Sequence, residues 1–200
     1  MLKVGLTGSI AVGKSFVCEV LRGLGCAVLD ADQTARDVVK IGTKGLQSIT
    51  ENFGTEVLRA DGELDRARLG AIVFADERRR QLLNSIVHPL VIAAQNEWLK
   101  EREAENSQGI AVVDAALMIE SGGYLRFEKL IVVWCAAETQ IERLMTRNKL
   151  SRAGAVLRIN AQMPQEEKKR FADFLIDTTQ GFETTHEQTV EIFERLKLLI

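Results

Sequence analysis

Apolar runs and helical patterns alternate at the start of the chain. Leu2–Thr7 is an apolar run of strand length, and Lys14–Leu24 repeats apolar residues at the spacing of a buried helix face. A second apolar run, Cys26–Leu29, ends at Asp30-Ala31-Asp32. The pattern therefore predicts a strand, a glycine-rich loop, a helix and a second strand, in this order.

The next part of the chain has helical character. Three segments are predicted as short helices: Ala35–Val39, Leu46–Phe53 and Arg66–Phe74. The helical pattern then continues from Asp76 to about Glu105, which is long for a helix without clear caps. Because proline lacks the amide hydrogen and crowds the preceding turn, Pro89 predicts a break near His88 and hence two helices.

Strand-like runs return in the second half of the chain. The predicted strands are Ile110–Asp114, Leu130–Cys135 and Phe174–Asp177, and the predicted helices are Thr139–Arg147 and Glu183–Leu199. Strands that are apolar on both faces and alternate with helices are typical of an α/β fold with a mostly parallel sheet. We predict a single domain over residues 1–200, with a helical excursion at about 60–108 and a charged excursion at about 147–170.

Composition narrows the class of protein. The chain has 200 residues, of which 46% are hydrophobic and 27% charged, as in ordinary globular domains. Its 26 basic and 28 acidic residues lack the broad positive surface of a general duplex binder, so we expect no nucleic-acid partner. No apolar stretch is long enough to span a membrane. Three cysteines without metal-ligand spacing, Cys18, Cys26 and Cys135, indicate thiols in the cytoplasm.

The sequence of Gly8–Ser15, GSIAVGKS, is a full match to the phosphate-binding pattern G-x-x-x-x-G-K-[ST]. The glycines let backbone amides wrap a phosphate, Lys14 neutralises phosphate charge, and the hydroxyl of Ser15 holds Mg²⁺. The motif predicts a P-loop fold that uses Mg²⁺ and ATP. The expected ATP contacts are Gly8, Ala11, Val12, Gly13, Lys14, Ser15 and Phe16.

The reaction class follows from what accompanies the phosphate loop. The chain is too short for a motor core and has no Asn-Lys-x-Asp stretch to read guanine, which favours a small-molecule kinase. Asp32 follows a predicted strand end, where open α/β sheets bind ligands, and is our candidate for the carboxylate that orients the acceptor hydroxyl. Alternatively, Asp32 caps the next helix and Asp30 accepts turn hydrogen bonds.

Several separate blocks make the chain resemble the dephospho-CoA kinase family, over Lys3 to about Gly181. The matching blocks are Leu6–Ser15, Asp30–Arg36, Leu83–Pro89, and Gln162, Lys168 and Ala172-Asp173 before the last strand. The resemblance implies a five-stranded parallel sheet and transfer of the ATP γ-phosphate to the 3′-hydroxyl of dephospho-CoA.

The resemblance also implies roles for individual residues. Asp32 matches the family's proposed base, and Arg36 is placed to reach an acceptor phosphate. His88 and Pro89 belong to the helical insertion that helps to hold the acceptor. Arg147 begins a stretch, through Arg158, that corresponds to a lid with basic residues over the phosphates, and we include Arg147 among the catalytic and ATP-binding residues.

The sequence departs from the family pattern in three places. Ala11-Val12 stands where the family usually has a glycine at the third or fourth loop position. Of the family's Pro-Leu-Leu-Phe-Glu block only Leu117 and Glu120 carry over, as expected substrate contacts. Ile176-Asp177-Thr178 replaces Ile-Asp-Asn.

Alternatives remain open at this point. Asp114 ends a strand as a Walker B carboxylate does, although an acidic residue is also common turn chemistry. Arg143 shares a helix face with Arg147, which is also typical of a solvated surface. A nucleoside or nucleoside-monophosphate kinase, or a non-catalytic nucleotide-binding protein, would have the same phosphate loop. The sequence predicts no oligomeric state.

Overall fold

The computed structural model describes all residues, Met1–Ile200. The chain divides into two compact units. The first unit comprises Met1–Asp30 and Arg102–Ile200, and the second is the continuous segment Ala31–Glu101. The predicted excursion at about 60–108 overlaps the second unit but does not coincide with it. A single domain over residues 1–200 stays a prediction.

A five-stranded sheet forms the centre of the first unit. The strands are β1 (Leu2–Thr7), β2 (Ala27–Asp30), β3 (Ile110–Asp114), β4 (Lys129–Trp134) and β5 (Phe174–Asp177). Their order is β2-β3-β1-β4-β5, and every neighbouring pair is parallel. The predicted parallel five-stranded sheet is therefore confirmed. Since β1 is central and parallel to both neighbours, the loop that follows it lies at the carboxyl edge of the sheet.

Nine helices complete the fold. They are α1 (Lys14–Gly23), α2 (Ala31–Asp37), α3 (Lys44–Phe53), α4 (Arg66–Ala75), α5 (Glu77–Glu105), α6 (Ala137–Asn148), α7 (Arg152–Asn160), α8 (Gln165–Lys169) and α9 (Phe182–Lys197). Short 3₁₀ turns occur at Thr55–Val57 and Gly123–Arg126. No helix combines the length and the apolar character needed to cross a bilayer.

The core of the first unit lies between the sheet and the helices α1 and α9. The apolar face of α1 buries Val17 and Leu21 completely, and Leu196 of α9 is equally buried. These side chains belong to one cluster with Leu6 of β1 and Ile131 of β4. Burial of such aliphatic side chains fixes α1, and therefore the loop before it, against the central strands.

The second unit has its own core and conventional helix caps. Thr43 accepts a hydrogen bond from the amide of Leu46 at the start of α3, and Asp65 accepts from Arg68 at the start of α4. Ile49 and Phe53 are buried among apolar residues of α4, α5 and the first 3₁₀ turn. The unit thus buries apolar surface independently of the sheet.

The predicted helix break at Pro89 is wrong. Helix α5 runs unbroken over 29 residues with Pro89 inside it. Ser85, His88 and Pro89 are all exposed. Proline removes the hydrogen bond to the carbonyl of Ser85, but water can hydrate that carbonyl on an exposed face, and the rest of the helix continues.

Two further expectations need correction. Helix α2 begins at Ala31, not near Ala35, so Asp32 lies in its first turn, where a carboxylate is favourable beside the positive helix end. The charged stretch at about 147–170 contains helix α7, which the apolar pattern did not predict because it buries only Ala155, and the short helix α8, which buries only Lys168.

Candidate active site

The loop between β1 and α1 has a backbone that glycine alone allows at two points. A Cβ at Gly8 would lie 2.3 Å from the carbonyl oxygen of Val133, so no side chain fits there. Gly13 has φ 90° immediately before α1, a conformation that favours glycine. These two glycines let the chain turn sharply from the strand into the helix, and the amides of the first helical turn face the loop.

Ala11 also adopts a left-handed conformation, with φ 62°. An L-residue with a Cβ is disfavoured there, whereas glycine is not. This explains why a glycine is usual at this position in the family that the sequence resembles. The alanine therefore keeps the loop shape at a small energetic cost.

Three side chains from distant parts of the chain hold the loop backbone. The amide of Ile10 donates to Oε1 of Gln162 at 2.7 Å, and Nε2 of Gln140 donates to the carbonyl of Ile10 at 2.7 Å. The hydroxyl of Thr178 donates to the carbonyl of Val12, also at 2.7 Å. The loop is thus fixed from the α7–α8 connection, from α6 and from the end of β5.

Lys14 and Asp114 are adjacent at the carboxyl edge of the sheet. Nζ of Lys14 lies 3.7 Å from Oδ1 of Asp114, and the thiol of Cys18 contacts Oδ2 at 3.6 Å. Burial, with a smaller effect of Asp114, raises the pKa of Cys18 well above its usual range. Asp30 on β2 is in register with Asp114 on β3. Two strand-end carboxylates therefore accompany the lysine of the loop.

The chain has no cluster of three or more His, Cys, Asp or Glu side chains that could hold a metal ion. The hydroxyl of Ser15 lies in the exposed first turn of α1, and Asp114 is close to Lys14. One hydroxyl and one nearby carboxylate fit Mg²⁺, which keeps several waters and takes further oxygens from substrate phosphates.

A cavity of about 560 Å³ opens beside the loop. Its lining contains most of the expected ATP contacts: Ala11, Val12, Gly13, Lys14, Ser15, Phe16 and Arg147. Gly8 does not line it. The cavity also contains residues that we did not predict as contacts: Ser9, Glu142, Arg143, Thr146, Thr178, Gly181, Phe182 and Thr185. The structure brings the loop, α6 and the start of α9 together around one space.

Arg143 and Thr178 are hydrogen-bonded to each other in the lining of this cavity. Both terminal nitrogens of Arg143 donate to Thr178, one to the hydroxyl and one to the carbonyl, each at 2.8 Å. Thr178 stands where the family that the sequence resembles has asparagine, and no sequence pattern indicated its contact with Arg143. Phe16 and Phe182 meet edge to face with ring centroids 4.8 Å apart, a contact that no sequence pattern indicated.

Arg147 and Arg158 lie on the exposed parts of α6 and α7. Nε of Arg147 donates to the side chain of Asn148 at 2.9 Å. Lys149, with φ 52°, ends α6, and α7 begins three residues later. Arg152 of α7 forms a two-pronged ion pair with Glu138 of α6. The two helices are thus linked to each other through the first turn of each.

Glu120 forms an ion pair with a buried lysine. Lys168 is completely buried, and its Nζ lies 2.7 Å from Oε1 of Glu120 and 2.9 Å from the carbonyl of Ala116. Burial lowers the pKa of Lys168, against the opposing effect of Glu120. Leu117, in contrast, is 53% exposed. Of the two expected substrate contacts, only Leu117 therefore has a largely open side chain.

The other expected acceptor residues lie in the second unit. Asp32 and Arg36 are exposed on α2, and His88 and Pro89 are exposed on α5. Arg36 lines a separate cavity of about 260 Å³ together with Lys40 and Arg66, so this unit concentrates cations near the end of α2.

Comparison with known proteins identifies relatives over nearly the whole chain. A family model described as dephospho-CoA kinase matches residues 2–183. A dephospho-CoA kinase of Listeria monocytogenes serotype 4b is 43% identical over 192 residues, which cover 96% of each chain. One of Carboxydothermus hydrogenoformans is 41% identical, covering 97% of this chain and 94% of that protein.

Solved structures show the same relationship. The dephospho-CoA kinase of Campylobacter jejuni superposes with a TM-score of 0.74 at 30% identity, covering 98% of this chain and 96% of that one. The shikimate kinase of Acinetobacter baumannii gives a TM-score of 0.54 at 15% identity, which supports the fold alone.

Proposed function

The chain belongs to the dephospho-CoA kinase family, and from this premise we propose how its residues carry the reaction. The activity is transfer of the γ-phosphate of ATP to the 3′-hydroxyl of dephospho-CoA. The observation that supports this most strongly is the single cavity in which the phosphate loop, Lys14, Ser15 and Arg147 converge.

The phosphate loop acts on the donor. Its backbone amides and the amino end of α1 bind phosphate oxygens, and Lys14 offsets charge that develops during transfer. Mg²⁺, held by Ser15 and by ATP oxygens, would neutralise charge on the transferred phosphoryl group. Asp114 balances the charge of Lys14 at 3.7 Å and would accept a hydrogen bond from a water of the bound ion.

Six residues are our candidates for contacts with the acceptor: Asp32, Arg36, His88, Pro89, Leu117 and Glu120. Asp32 orients the 3′-hydroxyl and accepts its proton, a role supported by its exposure in the first turn of α2. Arg36 binds an acceptor phosphate, and His88 with Pro89 contacts the acceptor. Leu117 offers an exposed apolar contact, while Glu120 shapes the same loop through Lys168.

We assign the segment at about 147–170 as a lid. Arg147 lies in the cavity lining at its beginning, and the left-handed Lys149 provides a hinge. Closure of this segment would exclude water from the phosphoryl group and add positive charge from Arg147 and Arg158.

The cysteines and the net charge support the proposed compartment and partners. Cys18, Cys26 and Cys135 are buried and unpaired with one another, which supports a reducing compartment, the cytoplasm. The substrates are ATP and dephospho-CoA. The balanced charge supports the absence of a nucleic-acid partner.

The function is tested by ADP release with Mg²⁺ and ATP, run in parallel with dephospho-CoA, AMP, CMP, adenosine and no acceptor. We expect release only with dephospho-CoA, and a product heavier by one phosphoryl group. Turnover with a nucleotide instead would assign the fold to another substrate, and ATP binding without any acceptor-dependent turnover would indicate a non-catalytic protein.

Two variants separate the roles. Lys14→Ala should abolish turnover and weaken ATP binding, because its charge contacts the donor. Asp32→Asn should lower kcat on the order of 100-fold with ATP affinity nearly unchanged. Asp37→Asn is the matched control, since Asp37 lies on the same helix and pairs with Lys40 at 2.7 Å. If Asp32→Asn keeps the wild-type kcat, Asp32 has only its helix-end role.

A further inference from the structure

Two glutamine side chains bind both backbone groups of Ile10 in the phosphate loop. Gln162 accepts from the amide of Ile10, and Gln140 donates to its carbonyl, both at 2.7 Å. In the sequence, Ile10 lies 152 positions from Gln162 and 130 positions from Gln140. Loop carbonyls and amides usually face water, so this double attachment is an unusual constraint on one residue.

The attachment extends into the protein as a chain of amides. Nε2 of Gln165 donates to Oε1 of Gln140 at 2.8 Å, and Gln165 in turn bonds both the amide and the carbonyl of Cys135, at 3.1 and 3.2 Å. Gln140 is only 1% exposed. Since its donor and its acceptor are both used, the orientation of its amide is determined by its neighbours.

The orientation of the Ile10 carbonyl determines the next residue. In a trans peptide the carbonyl and the following amide point in opposite directions. The hydrogen bond from Gln140 to Ile10 therefore turns the amide of Ala11 away from Gln140, and Ala11 adopts φ 62°. A disfavoured backbone conformation persists only where surrounding contacts determine it. Gln140 and Gln162 supply those contacts.

We propose that Gln162 and Gln140 are positioning residues for the ATP phosphates. They hold Ile10 so that the loop keeps its phosphate-binding shape before ATP arrives, and this role rests on the proposed donor function of the loop. Gln162 lies in the segment that we assign as the lid. The carboxyl end of that segment is thus attached to the loop by a hydrogen bond.

The test is Gln162→Met, which keeps the side-chain length and removes the acceptor. The amide of Ile10 then has no partner in the protein, and the loop loses its preferred shape. We expect ATP and ADP to bind about tenfold more weakly, as for a lost hydrogen bond to a part-buried amide. Adenosine, which has no phosphate, should bind as it does to the wild type. KM for ATP should rise more than kcat falls.

The matched control is Gln188→Met. Gln188 bonds the amide and the carbonyl of Asp177 at 3.0 and 2.8 Å, so the control loses the same kind of backbone contact but none to the loop. It should lower thermal stability with ATP affinity unchanged. A second variant is Gln140→Leu. In the double variant Gln140→Leu/Gln162→Met, the loss of ATP binding free energy should be smaller than the sum of the losses in the two single variants, because both substitutions act on Ile10.

The proposal is overturned if Gln162→Met binds ATP within about twofold of the wild type, a difference that corresponds to no lost interaction. It is also overturned if adenosine binding weakens as much as ATP binding, since the variant would then be damaged generally. Calorimetric binding of ATP, ADP and adenosine needs no acceptor. Failure of the wild type to phosphorylate dephospho-CoA would therefore refute the proposed function without deciding the role of Gln162.

Discussion

Replacing Pro89 with alanine should stabilise the second unit while weakening the binding of dephospho-CoA. Pro89 lies in the interior of α5 on an exposed face. Its ring removes the hydrogen bond to the carbonyl of Ser85 and crowds that carbonyl. Alanine restores the amide and completes the helix. A proline kept at such a position is expected to serve function and not stability.

The gain in stability expected for Pro89→Ala follows from the position of Pro89 in the interior of α5. Proline costs about 3 kcal/mol relative to alanine inside a helix. Proline also restricts the unfolded chain, which returns about 0.5 to 1 kcal/mol to the wild type. The expected gain for Pro89→Ala is therefore about 2 kcal/mol. For a chain of this size, such a gain raises Tm by about 4 to 8 °C.

The two tryptophans allow a local assay. Trp98 lies in α5 of the second unit and Trp134 in β4 of the first. In a Trp134→Phe background, urea unfolding followed by fluorescence reports on α5 alone. The control Ser85→Ala lies one turn earlier in the helix and should change stability by less than about 0.5 kcal/mol. KM for dephospho-CoA is measured in parallel.

An unchanged or lower urea midpoint for Pro89→Ala would refute this reasoning, because it would show that α5 bears no penalty at Pro89. A higher midpoint with an unchanged KM for dephospho-CoA would keep the energetic argument and remove Pro89 from the acceptor site.

Three further outcomes are expected. Ala11→Gly should raise the free energy of unfolding by up to about 1 kcal/mol without raising KM for ATP. Glycine removes the left-handed strain of the folded loop, but it also increases the entropy of the unfolded chain, which limits the gain. A clear fall in Tm would contradict this. Lys168→Met should cost about 2 kcal/mol in urea unfolding, since it removes the charge-assisted hydrogen bonds from the buried Nζ to Glu120 and to the carbonyl of Ala116, whereas the exposed control Lys197→Met should cost about 0.5 kcal/mol or less. Burial raises the pKa of Cys26 from 9.0 to about 12, so the unfolded thiol ionises above pH 9 while the folded one stays protonated, and stability should fall with rising pH in this window. Unfolding at pH 8 to 11 should show a shallower fall for Cys26→Ala, and equal slopes would exclude this contribution.

Local chemistry explains what the sequence could predict. Strand β1 is buried on both faces, and the run Leu2–Thr7 is correspondingly apolar. The turn that follows the strand requires the glycines of Gly8–Ser15. Both signals lie within a few consecutive residues. Six of the fifteen residues that line the cavity beside the loop followed from them, because a phosphate loop fixes the position of its own Lys14 and Ser15.

The remaining contacts depend on residues brought together only by folding. The bond of Gln162 to Ile10 spans 152 positions, and nothing in the local pattern of either residue indicates it. The proline rule failed at Pro89 because it is local, whereas the continuity of α5 depends on the apolar contacts of the whole helix with its unit. Helix α7 was missed since it buries only Ala155 and therefore shows no apolar stripe in the sequence.

The central place of β1 has a consequence for the order in which the protein folds. β1 is synthesised first, yet Leu2 pairs with Ile110 and Val4 with Lys129. At ribosomal rates of about 5 to 20 residues per second, this strand waits at least several seconds for its neighbours. The continuous segment Ala31–Glu101 is complete earlier, and by folding first it shortens the chain that must close between β2 and β3. The loop Gly8–Ser15, which directly follows β1, is therefore among the earliest segments to be made and among the last to reach its native conformation.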